Sequence, residues 1–89
     1  MPRWGITVFG RVQGVGFRYY VRHCAEKLDV FGFVKNLSDG TVYILAEAEE
    51  RAFESFCRLV SLGNSYSRVS KLDIQKLDSE NRYHDFEIR

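Results

Sequence analysis

The first segment whose residue types and placement could do chemistry is Gln13-Gly14-Val15-Gly16-Phe17-Arg18. It follows a run that alternates like a strand and opens a run with helical spacing. A helix N-terminus has unpaired N–H groups and a partial positive charge, so it attracts an anion. Gly14 and Gly16 open backbone angles closed to other residues, letting successive N–H groups curl toward one point. Arg18 stands where the first helical turn begins, and its planar fork can hold two phosphoryl oxygens at once. The loop is neither a Walker A sequence, which needs Gly-Lys-Ser/Thr, nor a dinucleotide fingerprint. A tight strand-to-helix turn followed by an exposed arginine would use the same residues. Asn36 is the second candidate. It lies at a strand end, entering a hairpin, where a turn residue bonding its own backbone is the simplest assignment.

The elements that must position these residues follow from periodicity. Residues 6–12 alternate as a strand. Phe17, Tyr20, Val21, Cys24, Ala25 and Leu28 form one apolar stripe on a helix of about three turns. Phe31 to Asn36 reads as a second strand, and Ser38-Asp39-Gly40 as a hairpin turn. Thr41 to Ala48 alternates as a third strand. Glu49 and Glu50 put negative charge where a second helix starts. Phe53, Phe56, Cys57 and Val60 make that helix's buried stripe, and Gly63 can end it. Val69–Lys76 and Tyr83–Ile88 read as closing strands.

The order is βαββαβ with an extra C-terminal strand. Right-handed crossovers put both helices on one face. The expected architecture is therefore α+β: a ferredoxin-like split-βαβ sandwich, an antiparallel sheet with two helices on one face. Ile6, Val8, Val42, Ile44, Leu72 and Ile74 should form the covered face. Phe9, Phe31, Phe33, Tyr43 and Leu45 should share the open one.

Composition narrows the function classes. The chain has 89 residues and is expected to form one domain over residues 1–89. At 45% hydrophobic with thirteen aromatics, it can build an ordinary core. Thirteen basic against twelve acidic residues, net +1, argue against a dedicated nucleic-acid binder. The same element order occurs in RNA-recognition domains, which stack bases on an open aromatic face. Val30-Phe31-Gly32-Phe33-Val34 echoes part of their motif but lacks the leading Lys/Arg-Gly and falls on the second strand. No apolar run approaches the roughly 20 residues of a membrane helix. The N-terminus lacks a signal peptide's apolar stretch. Cys24 and Cys57, expected as buried thiols in the cytosol, match no metal spacing, even with His23 and His84, which read as surface residues. Glu47, Glu49 and Glu50 read as a solvated acidic edge.

Taken together, Gly10-Arg11-Val12-Gln13-Gly14-Val15-Gly16-Phe17-Arg18 and Gly32-Phe33-Val34-Lys35-Asn36, followed by Asp39-Gly40-Thr41-Val42, resemble the two signatures of the acylphosphatase family. The resemblance covers essentially the whole chain. It implies hydrolysis of acyl phosphates, carboxyl-phosphate anhydrides, to a carboxylate and inorganic phosphate without metal or cofactor. It carries the family's phosphate-binding arginine onto Arg18, its phosphate-binding loop onto Gln13 to Phe17, and its water-positioning asparagine onto Asn36. The implied partner is a small acyl phosphate; charge and hydropathy add the expectation of no nucleic-acid or membrane partner, and the chain is expected to act as a monomer in the cytoplasm. Phe33 stands where the family commonly has tryptophan, Leu37 where it often has Ser or Thr, and Ala48-Glu49 where Gly-Pro often ends the third strand. A module that holds phosphate or carbamoyl phosphate without efficient turnover is the rival implied by the same fold.

Overall fold

The computed structural model describes residues 1–89. Five strands and two helices run β1 (Arg3–Arg11), α1 (Phe17–Leu28), β2 (Phe31–Asn36), β3 (Val42–Glu47), α2 (Glu50–Leu62), β4 (Arg68–Leu77) and β5 (Phe86–Ile88). The sheet order is β4-β1-β3-β2-β5. β1 and β2 each pair antiparallel with β3, so they run in the same direction and end at the same edge. β4, antiparallel to β1, starts at that edge. The β1–α1 loop, the β2–β3 hairpin and the α2–β4 loop therefore meet there.

The helices cover one face, as the sequence predicts. Ile6, Val8, Val34, Val42 and Ile44 are fully buried beneath them. From above, α1 buries Phe17, Val21, Cys24 and Ala25, and α2 buries Phe53, Phe56 and Val60. Trp4 stacks on Phe53 with ring centroids 3.7 Å apart. A buried aromatic of this kind contributes roughly 1.5–3 kcal/mol. The Tyr20 hydroxyl donates to the Leu59 carbonyl, tying α1 to α2. Burial, reinforced by neighbouring Cys24, pushes Tyr20 up to about 12, so the hydroxyl stays a donor. Burial raises Cys24 as well and lifts Cys57 to about 11, leaving both as protonated, free thiols.

Four expectations need correction. The sheet is mixed, because β5 pairs parallel with β2. After Leu77 the chain crosses the end of the sheet where β2 begins, so β5 starts beside Gly32 and runs alongside its neighbour. That crossing takes up Tyr83–Asp85, which lie outside the closing strand, now only Phe86–Ile88. Ile74 is 45% exposed and Leu72 only half-buried, because β4 is an edge strand that α2 covers incompletely. Finally, Glu47 is buried, not solvated. It faces away from the helices and accepts hydrogen bonds from the backbone N–H groups of Arg82 and Tyr83 at 3.0–3.1 Å, with Arg3 at 3.5 Å.

Those contacts pin the crossing segment over part of the face expected to be open. Phe33 and Leu45 are buried there. Tyr83 meets the Phe33 ring edge-on, and the Arg89 guanidinium lies 4.1 Å from its centroid. No helix is long and apolar enough to cross a membrane.

Candidate active site

The β1–α1 loop turns twice through left-handed backbone, at Gly14 (φ 73°) and Gly16 (φ 77°). A Cβ at Gly14 would meet nothing within 4 Å, so the torsion rather than crowding calls for glycine. Gly16 caps α1 without any side-chain hydrogen bond, and the first helical bond is the Tyr20 N–H to the Gly16 carbonyl. The N–H groups of Gly14, Val15, Gly16, Phe17, Arg18 and Tyr19 thus have no acceptor within the chain. Unpaired donors with a helix dipole behind them have the chemistry that suits an anion.

Two side-chain ties hold the loop. Gln13 donates through Nε2 to the Leu37 and Thr41 carbonyls, both at 2.8 Å, fastening the loop to the hairpin on either side of its turn. Asn64, from the α2–β4 loop, donates through Nδ2 to the Val15 carbonyl at 2.8 Å and is itself locked by Ser67. The Gln13 side chain, expected from the sequence to bind an anion, is committed to the hairpin instead, which leaves only its backbone for that role. Asn64 carries no signal in the sequence, since one asparagine in a loop has no recognisable spacing. Gly63 just before it was the only nearby signal.

Arg18, half-buried, donates through Nη1 to the main-chain oxygen of Arg89 at 2.8 Å. The Arg89 N–H in turn donates to Val34 on β2. The guanidinium is thereby stationed beside the C-terminal half of the strand that ends in Asn36. Asn36 is exposed, and its carboxamide makes no hydrogen bond within the chain. Below it the turn is tightened by Asp39, whose carboxylate accepts from the Thr41 N–H and hydroxyl. Those bonds, the hydroxyl first, hold Asp39 below the usual carboxylate range. Leu37, where the resemblance led one to look for a hydroxyl, contributes its carbonyl instead, accepting from Gln13 and Gly40. Arg18, the loop and Asn36 thus share one edge of the sheet. A cleft nearby lies on the β4 side of the loop, lined by Arg11, Gly14, Val15 and residues 65–68. The structure brings no three His, Cys, Asp or Glu together as a metal-holding group.

The fold is a split-βαβ sandwich whose unpaired loop N–H groups, Arg18 guanidinium and Asn36 carboxamide share one sheet edge. The acylphosphatase family model matches residues 4–88. The chain is 44% identical to the acylphosphatase of Bacillus subtilis (strain 168) over 88 residues, covering 99% of this chain and 97% of that one. It superposes on the crystal structure of acylphosphatase from Bacillus subtilis with a TM-score of 0.96, covering 100% and 99% of the two chains. It also matches a 12% portion of full-length HypF in its phosphate- and nucleotide-bound form, at 36% identity and a TM-score of 0.90 over 99% of this chain. The chain belongs to the acylphosphatase family.

Proposed function

We propose that the loop from Gln13 to Phe17 together with Arg18 binds the phosphoryl group, and that Asn36 positions the attacking water. The reaction is the family's, hydrolysis of acyl phosphates to a carboxylate and inorganic phosphate. Its chemistry explains how so few groups suffice. The leaving carboxylate has a conjugate-acid pKa of roughly 4–5, so it departs at pH 7 without a general acid. Phosphoryl transfer is mostly positioning and charge stabilisation. The N–H groups of Gly14 to Tyr19 and the Arg18 fork meet the three phosphoryl oxygens and the charge that develops on them. The Asn36 carboxamide accepts a hydrogen bond from water and aims it in line. The water oxygen bonds to phosphorus as the bond to the acyl oxygen breaks. The carboxylate leaves with the electron pair, and the water's proton passes to phosphate or solvent.

The observation that carries this reading is the cradle itself: six consecutive N–H groups with no internal acceptor, fastened by Gln13 to the hairpin that bears Asn36. The same reading takes the chain as one domain over residues 1–89, acting as a monomer in the cytosol, in keeping with its two free thiols.

The test is phosphate release with chelator present, across acetyl, benzoyl and carbamoyl phosphates, with a phosphate monoester as control. Acyl phosphates should turn over and the monoester should not, since no group stands ready to protonate its poor leaving group. Wild-type rates from a folded Arg18→Ala variant would overturn the assignment of Arg18.

A further inference from the structure

β1 and β4 place Arg11 directly opposite Arg68, in register across the sheet. Like charges in such a pair repel and weaken it. Both side chains are exposed, and neither joins any of the chain's ion pairs, which use Arg3, Arg82 and Arg89. The pair stands at the mouth of a cleft of about 550 Å3 that it shares with the loop residues Gly14 and Val15 and with exposed Tyr66. Volumes of this order suit a small ligand. Gly14 is therefore common to the cleft and to the phosphoryl cradle. A Cβ there would meet nothing within 4 Å, so the space over Gly14 is open.

We propose that Arg11 and Arg68 form a second anion subsite, which receives a phosphate or carboxylate carried on the acyl part of the substrate. Resting on the assignment of the phosphoryl group to the neighbouring loop, it defines the preferred substrates as acyl phosphates with a second anionic group. With the phosphoryl group in the cradle, the acyl chain passes over Gly14 and its far anion falls between the two guanidinium groups. That anion relieves the cross-strand repulsion, and each planar fork can take two of its oxygens. Acyl phosphates with an uncharged tail use the cradle alone.

Matched substrate pairs test this: succinyl against butyryl phosphate, and glyceroyl phosphate with and without a 3-phosphate. Each is measured with the wild type and with the R11Q/R68Q double variant. A charge-assisted contact at an exposed site predicts that the wild type prefers the charged member by about tenfold in kcat/KM, mainly through KM. The double variant should erase that preference and keep the uncharged members within about twofold. A preference in only the 3-phosphate pair would assign the subsite to phosphate, and one in only the succinyl pair to carboxylate. No preference in the wild type, or an equal loss on both members of a pair in the variant, would overturn the subsite. Failure of the folded wild type to hydrolyse any of the four would instead overturn the phosphoryl cradle, and the subsite with it.

Discussion

The two ends of β1 solve the same electrostatic problem differently. At the Arg3 end, the N–H groups of Arg82 and Tyr83 and the Arg3 guanidinium converge on the buried carboxylate of Glu47. At the Arg11 end, about 26 Å away at roughly 3.3 Å per residue, the N–H groups of Gly14 to Tyr19 have no acceptor within the chain, and the Arg18 guanidinium is held by the main-chain oxygen of Arg89. Backbone donors and an arginine around an anion make a strong site. Where the chain supplies the anion, the site staples a crossing segment to the sheet. Where the chain supplies none, the unpaired donors suit the phosphoryl role proposed for the loop. Substitutions at the first end should therefore change stability and spare turnover, and substitutions at the second should do the reverse.

The largest separation is expected at Arg18. Arg18→Ala should lower kcat/KM for benzoyl phosphate by roughly 10³–10⁵-fold, the scale of an arginine stabilising phosphoryl-transfer charge. Its stability should fall by no more than about 1 kcal/mol, the worth of the lost bond to Arg89. Arg18→Lys should recover little, because a point charge does not reproduce the fork. Next, Asn36→Ala should lower kcat on the order of 10²–10³-fold, while inhibition by inorganic phosphate persists. Steady-state kinetics with phosphate as inhibitor separates the two effects.

At the opposite end, Glu47→Ala should remove about 3 kcal/mol of stability by stranding Arg3 and two backbone donors. Thermal denaturation should show it as a Tm lowered by more than about 10 °C, with kcat at sub-denaturing temperature within about twofold of wild type. A Glu47 variant that lost turnover while keeping its Tm would break the contrast. Asn64→Ala sharpens the cradle's own anatomy: losing the bond to Val15 should cost about 1 kcal/mol of stability and about tenfold in kcat/KM through a looser loop.

The smallest effect concerns Asp39. Its carboxyl lies below the ordinary range in the folded chain, held there by the Thr41 hydroxyl and N–H. Its contribution is thus fully present above the unfolded-state carboxyl pKa of about 3.9 and is lost only as pH falls through the lowered value. The Thr41 amide resonance should stay unchanged from pH 8 to 5 and move only under more acidic conditions.

Much of this contrast was readable beforehand. The stripe from Phe17 to Leu28 gives α1 with its bounds, because a helix's apolar period is local information. Asn36 and the loop could be named because glycine, arginine and asparagine carry their chemistry in their identity. Glu47 could not be read, since its neighbours Glu49 and Glu50 make it look like part of a surface run. Its burial depends on Arg82 and Tyr83, more than thirty residues away. The exposure of Ile74 and the parallel pairing of β5 likewise follow from which strand lies at an edge and where the crossing passes. Alternation within one strand does not encode either. Asn64 belongs to the same class, significant only because it reaches Val15.

The central claim is that the Gly14–Tyr19 donors and Arg18 grip a phosphoryl group. Titration of the isotopically labelled protein with inorganic phosphate, followed by backbone amide and arginine Nε resonances, tests it directly. The account predicts saturable shifts at Gly14 to Tyr19 and at the Arg18 side chain, with Arg82 and Tyr83 unmoved because Glu47 already holds their donors. Saturation that shifted other amides and left the cradle silent would contradict it.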